Sequence, residues 1–249
     1  MALFTDGAIA SIEDLRGHDT QLLNVATVEG IDVTRKLALA REELGVEVAG
    51  LLEQAMLSGQ LGAPPAIEQV VVTPPLKLWH IFRTLEMCYR DAYNSQLNDR
   101  YAGKRDEYRE MAKWAHHQVV QSGLGIAADP VVQAAIPDVR AAAGGLADGA
   151  YYVAVAWTNA AGEEGASSIP TMIQVSGSSF AVQTTAPPNV KGWTVYCGTD
   201  PVAMTLQSGT LAPGQSWVQP DTLSRTGRLA GSGQIPTFRL PVPRTIQRG

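Results

Sequence analysis

Apolar residues recur with two different periods along this 249-residue chain. In the first half the period is helical. Ser11-Ile-Glu-Asp14 predicts an N-cap with acids in the first turn, where carboxylates complement the free amides and the helix dipole. Asp32 predicts a second start, after which Val33, Leu37, Leu44, Val48, Leu51 and Leu52 repeat at helical spacing towards Gly59 or Gly62. Ala63-Pro64-Pro65 breaks that pattern, and Val70-Val71-Val72 with Pro74-Pro75 predicts a short extended link. The strongest helical pattern then runs from about Leu76 to Val120. Leu78, Phe82, Leu85, Tyr89 and Ala92 fall on one helix face, and the interleaved charges from Asp99-Arg100 to Lys113 predict a solvated opposite face. Gly103 kinks this element or divides it in two.

Beyond Gly123 the pattern changes. Gly123, Gly125, Asp129-Pro130, Ile136-Pro137 and the small residues from Ala141 to Gly149 read as a linker. The period then becomes two: Tyr151, Val153, Val155 and Trp157 alternate with Tyr152, Ala154, Ala156 and Thr158. Short runs follow at Ile169–Val175, Phe180–Thr184, Trp193–Cys197, Met204–Gln207 and Gln215–Val218, with turn residues between most of them. This spacing is the signature of a β-sandwich. Thr222–Gly249 holds four glycines and three prolines and reads as an extended arm. The predicted fold is therefore an α+β mosaic: an N-terminal α-helical bundle over 1–122, a linker over 123–149, a β-sandwich over 150–221 and a C-terminal arm over 222–249.

Charge sharpens that division. The formal net charge is −5, but Arg225, Arg228, Arg239, Arg244 and Arg248 follow Asp221 with no acid, giving an arm of +5 on a body of −10. A basic arm on an acidic body implies docking onto another subunit. Cys88 and Cys197 are far apart and fall in core patterns, as expected of thiols in a reducing compartment. No signal peptide is expected from MALFTDGAIASIEDL, which lacks a basic start and carries Asp6, and no apolar run is long enough to span a bilayer.

Candidate chemistry is sparse. Glu163 and Glu164 form an adjacent acid pair in TNAAGEEGASS, but neighbouring loop residues project in different directions and do not flank one reacting bond. A calcium loop needs more oxygen ligands than this stretch supplies. The expected role is a solvated strand connection whose acids keep its tip soluble. His116 and His117 project about 100° apart on a helix and cannot share a metal, and His18 and His80 lack ligand-type partners at useful spacing. His18, in Arg16-Gly-His-Asp19, reads as a cap or turn residue. Ser176-Gly-Ser-Ser179 is a turn, no G-x-S-x-G occurs, and Gly123-x-Gly125 lacks the third glycine of a phosphate loop. No enzyme, metal or cofactor is expected. Trp157 and Trp193 share strand faces with Val155 and Val195 and read as core, whereas Trp217 fits either core or a sugar-stacking surface. The spaced arginines of the arm, interleaved with Pro, Leu, Ile and Phe, suit a peptide laid along a protein surface.

Two stretches carry a resemblance. YRDAYNSQLNDRYAGKRDEY, Tyr89 to Tyr108, with Asp99-Arg-Tyr-Ala-Gly-Lys104, resembles the long helix of head–tail connector (adaptor) proteins of tailed bacteriophages. YVAVAWTNAAGEEGAS, Tyr152 to Ser167, followed by GWTVYCG, Gly192 to Gly198, is similar to the Ig-like or fibronectin-III-like modules of phage structural proteins. The resemblance implies a homo-oligomeric ring, commonly dodecameric, in the virion neck. Such a ring seats under the portal protein, continues the DNA channel without sequence-specific binding and offers a platform to the next neck or tail protein. It would be made in the host cytoplasm, with no membrane partner. Tyr93, Asp99, Arg100, Tyr101, Lys104 and Tyr108 would form an inter-subunit helix face. Arg225, Arg228, Phe238, Arg239, Arg244, Ile246 and Arg248 would grip the portal. An acidic body also suits a channel through which DNA slides. The rival reading is a glycan-binding β-module on a helical oligomerisation stalk of a tail or fibre protein, with Trp217 stacking on sugar.

Overall fold

The protein is described by a computed structural model over residues 1–57, 65–96 and 99–242. The predicted helix end near Gly59 or Gly62, the break at Ala63-Pro64, and Arg244, Ile246 and Arg248 lie outside those residues. The fold is α+β mixed, with five α-helices and several antiparallel sheets among the described residues. The chain forms two compact units, one made of Met1–Asp6 with Ala127–Ile235 and the other of Gly7–Ile126 with the chain from Pro236 on. It therefore passes between units three times, and neither unit is one continuous segment.

In the helical unit, α1 (Ile12–His18) begins with a capping box: Ser11 Oγ accepts from the Asp14 amide at 3.1 Å, and Asp14 Oδ2 accepts from the Ser11 amide at 2.8 Å. Helix α2 (Leu22–Glu29) closes on Gly30, whose left-handed φ of 67° only glycine adopts without strain. Helix α3 (Val33–Leu57) starts where predicted, with Asp32 Oδ1 accepting from the Arg35 amide at 2.9 Å. The long helical pattern is two helices, α4 (Pro74–Gln96) and α5 (Ala102–Ser122), with a 3-10 turn over Asp99–Tyr101 before the second. Gly103 does not make the break; it lies in the first turn of α5 with open space around it. Phe82, Leu85, Tyr89 and Ala92 are buried, as the face on α4 requires, and α4 packs against both α3 and α5.

The linker expected over 123–149 is structured. Leu124–Ile126 is a buried strand, β1, and Asp138–Ala142 is a second strand, β2. On one side of β1, Val70 forms a bridge to Ile126 and the Val71 amide donates to Gly125 O at 2.9 Å. Strand β1 also pairs antiparallel with Phe238–Leu240, the last strand among the described residues. A side chain at Gly125 would meet Pro236 at 2.7 Å and Thr73 at 2.8 Å, so this close approach requires glycine. Small residues and prolines conceal such segments because the pairing partner lies far away in sequence.

The β unit holds β3 (Gly149–Thr158), β4 (Thr171–Val175), β5 (Ser179–Gln183), β6 (Gly192–Gly198), β7 (Thr205–Leu206) and β8 (Trp217–Val218), close to the six predicted runs. They form a three-stranded sheet ordered β2-β5-β8 and a four-stranded sheet ordered β4-β3-β6-β7. Tyr151, Val153, Val155 and Trp157 of β3 share one core with Phe180 and Val182 of β5 and with Trp193 and Val195 of β6. Val131, Ala134 and Leu146, from the expected linker, complete it. The opposite face of β3 is also buried: Ala154 and Ala156 pack with Tyr196 and Met204 beneath Leu206 and Ala230.

The segment expected as an extended arm is thus divided in its described part. Residues 222–235 belong to the β unit, and 236–242 belong to the helical unit, where Phe238–Leu240 forms β9. Its prolines and glycines break periodicity, but its backbone groups still find partners. Leu206 donates to Arg228 O at 2.9 Å and Ala230 donates to Met204 O at 3.0 Å, which covers the outer edge of β7.

Candidate assembly surfaces

The acid pair of TNAAGEEGASS is consumed by the fold. Asn159 organises the loop: its Oδ1 accepts from the Ala161 and Glu163 amides at 3.0 and 2.9 Å, and its Nδ2 donates to Glu163 Oε2 at 2.8 Å. Glu163 Oε2 also accepts from Gln234 Nε2 at 3.0 Å. Gln234 is itself buried, donating to Asp129 O and accepting from the Val131 amide at 2.6 Å. Glu164 has a side chain only 9% exposed; it accepts from Tyr196 Oη at 2.5 Å and pairs with Arg228. Burial, with the Glu164 carboxylate second, pushes the Tyr196 phenol well above its ordinary range. The expectation that these acids keep a loop tip soluble is therefore corrected. Both face inward, and both anchor the returning C-terminal segment.

The helical unit contains a second buried carboxylate, which sequence reasoning passed over. Asp19 follows α1 and accepts from Tyr89 Oη at 2.7 Å, Tyr108 Oη at 2.8 Å and the Gln21 amide at 2.9 Å. Burial raises its pKa, but these donors outweigh that and leave it below the ordinary carboxylate value. The Tyr89 and Tyr108 rings stack with centroids 5.5 Å apart, and Tyr101 Oη donates to Glu29 Oε1 at 3.0 Å. The signal for Asp19 was local, an aspartate two residues before the amide it caps; its tyrosine partners were not legible.

Two of the residues expected on an inter-subunit helix face are not at a surface. Tyr101 and Tyr108 are buried within the helical unit, and Tyr93 is half-buried beneath the Arg105 guanidinium, 4.5 Å from its ring centroid. Asp99, Arg100 and Lys104 are exposed, and Lys104 lies 5.2 Å from the centroid of the Tyr108 ring. Tyrosines at helical spacing read equally as interface or core, and the acceptors at Asp19 and Glu29 draw two of them inward.

Of the expected portal-gripping residues that are described, Arg225 and Arg228 belong to the β unit and Phe238 and Arg239 to the helical unit. Arg225 is exposed, Arg228 is tied to Glu164, and Arg239 donates to Gly123 O at 3.5 Å. Phe238, 40% exposed on β9, is the apolar member left at a surface among the described residues of that set. Trp157 and Trp193 are core as expected, and Trp193 Nε1 donates to Ala212 O at 3.0 Å. Trp217 is half-buried against the same core, its ring 6.5 Å from that of Phe180. His18 ends α1 with its ring edge-on to Phe82, centroids 5.1 Å apart. His116 packs on Trp79 at 4.6 Å between centroids while His117 is exposed, as their angular separation on a helix requires. Cys88 and Cys197 are buried, and burial pushes each thiol up to about 12, which makes both unreactive.

Comparison of the chain with protein-family models, with curated proteins and with solved structures finds no match. No helix among the described residues is long and apolar enough to cross a membrane.

Proposed function

We propose that the chain is a structural virion protein, a head-to-tail adaptor whose copies form a ring between the portal and the neck or tail and continue the DNA channel. The observation that carries this reading is the use made of Tyr89 to Tyr108. Its tyrosines tie α4, the 3-10 turn and α5 to the carboxylates of Asp19 and Glu29, so the stretch that resembles a connector helix is a braced junction of two helices. The reading of the β unit as an Ig-like module is supported by two antiparallel sheets that contribute to one core. The sequence after β9 also suits the role, since Arg244, Ile246 and Arg248 follow there with no acid.

Deleting Thr222–Gly249 would be an unsound test, because residues 222–242 belong to both units. Ending the chain at Val242 removes only the last seven residues. Negative-stain imaging and native mass of the full chain mixed with purified portal should show rings bound to portal, and the Val242 truncation should lose portal binding with unchanged melting. A full chain that stays monomeric beside portal would overturn the adaptor reading. Equal portal binding by the truncation would overturn the role of Arg244, Ile246 and Arg248.

A further inference from the structure

Of the four strands that end the two sheets of the β unit, three are guarded against further pairing. The outer edge of β7 is covered by the backbone of Arg228 and Ala230. Strand β2 carries Asp138 and Arg140, which pair with each other at 2.5 Å, and β8 is only two residues long. Cover, charge and brevity are the usual protections of a sheet edge. Strand β4, Thr171–Val175, has none of them. No charged residue occurs from Gly165 to Val190, and Ile169 and Met172 are 63% and 60% exposed. Asp148, just before β3, is engaged by the turn after β4, where its Oδ1 accepts from the Gly177 amide at 2.7 Å.

The backbone fixes which groups of β4 face outward. On β3, the carbonyls of Val155 and Trp157 accept from the Ser168 and Gly165 amides at 2.8 and 3.0 Å, so alternate residues of β3 turn their backbone towards the β4 side. Tyr151 and Val153 belong to that set, and their partners on β4 are Ile173 and Thr171. The amides and carbonyls of Met172 and Gln174 therefore point to the opposite edge. Strand β4 pairs with β3 alone, and these four groups have no partner among the described residues. The Met172 side chain lies beside half-buried Tyr152 on the outer face of the sheet, whereas Ile173 packs on the core.

We propose that the free edge of β4 pairs antiparallel with β4 of a second copy, joining the two four-stranded sheets into one of eight strands. Unpaired backbone groups call for an extended strand as the occupant, and the edge is complementary to itself. A two-fold axis at Ile173 sets Met172 opposite Gln174 of the other copy and overlaps all five residues of β4, so each outward amide meets an outward carbonyl in four hydrogen bonds. Ile173 then faces its own equivalent across a close, non-hydrogen-bonded pair. A like copy brings no like charge to this edge, because neither strand carries any. The contact is isologous and closes with two copies, so it is separate from the contact that would repeat around a ring.

The test follows self-association of the full-length chain by sedimentation equilibrium and maps the register with cysteines. Gln174→Pro removes one outward donor from each copy and should weaken the pair about 10-fold, with unchanged melting because that amide serves no bond within the described fold. Met172→Lys leaves the backbone intact and sets two lysines diagonally across the pair, about 7–8 Å apart, so it should weaken the pair at least as much. Under copper–phenanthroline oxidation, Ile173→Cys should form a covalent dimer through position 173. Thr171→Cys should not, because its two copies stand about 13 Å apart along the paired strands. Equal cross-linking from both positions, or self-association that survives both Gln174→Pro and Met172→Lys, would overturn the proposal. So would a free chain that is monomeric at every concentration yet forms rings on purified portal, which leaves the adaptor reading standing. The predicted dimer in a chain that ignores portal would support the β4 edge and overturn the adaptor reading alone.

Discussion

Asp19 and Glu164 are carboxylates withdrawn from water in different units, and each accepts a tyrosine hydroxyl. Their supporting partners differ. Asp19 is satisfied by groups from helices: Tyr89 on α4, Tyr108 on α5 and the Gln21 amide between α1 and α2. Glu164 is satisfied by Tyr196 and, at 3.3 Å, Thr194 on the neighbouring strand and by Arg228, whose side chain is 56% exposed and comes from the returning C-terminal segment. One node fastens the scaffold of its unit, and the other fastens a late-arriving segment over a sheet edge. Removing the first orphans two phenols held at 2.7 and 2.8 Å; removing the second orphans one phenol, breaks the longer 3.3 Å bond from Thr194 Oγ1 and releases a solvated ion pair.

The largest effect is accordingly expected for Asp19→Ala, which leaves two buried phenols without an acceptor and should cost about 3 kcal/mol. Hydrogen exchange should show the loss in the amides of α1, α4 and α5. Protection lost first in the β strands instead would sink the idea that Asp19 fastens the helical unit. Glu164→Ala should cost about 2 kcal/mol, chiefly the penalty for the orphaned Tyr196 phenol with a smaller share from the longer Thr194 bond, with faster exchange at Leu206 and Ala230. Arg228→Ala should cost about 1 kcal/mol or less, because solvent screens a half-exposed guanidinium. A cost equal to that of Glu164→Ala would mean that the ion pair, and not Tyr196, holds the carboxylate in place.

The smallest effect concerns pH. His80 is buried on α4, with Nε2 donating to Leu37 O at 3.0 Å and Nδ1 without a hydrogen-bond partner. Burial chiefly, with the Arg41 charge assisting against the Leu37 bond, lowers its pKa below the ordinary imidazole value. The unfolded chain then binds the proton more readily, so the helical unit should lose stability as pH falls below about 6.5, until the folded pKa is passed. Asp19 acts later: its lowered pKa stabilises the fold above about 3.8, and that contribution disappears as pH falls further. Denaturant midpoints between pH 7 and 5 should fall for the native chain and less for His80→Gln. Parallel slopes would show that His80 does not couple the helices to pH.

Local chemistry made much of the molecule legible. The Ser11 capping box, the Asp32 start, the face of α4 and the strands β3 to β8 follow from spacing and turn residues that act over a few positions. The inward face at Trp157 and Trp193 followed from alternation alone. The acid pair at Glu163-Glu164 was legible as non-catalytic, but its orientation was not, because Gln234 and Arg228 arrive from more than sixty residues away. Strands β1 and β2 escaped notice for the same reason: three or five residues rich in Gly and Ala show no period until a partner strand is beside them.

The sequence by itself determined the helix and strand segments, the charge asymmetry and the separation of an α-rich half from a β-rich half. Tertiary structure alone decided that the C-terminal segment is fastened to both units and that Tyr101 and Tyr108 turn inward. The division has one physical cause. Periodicity and capping are short-range and repeat along the chain, whereas the satisfaction of a buried donor or carboxylate depends on single long-range encounters that leave no periodic trace.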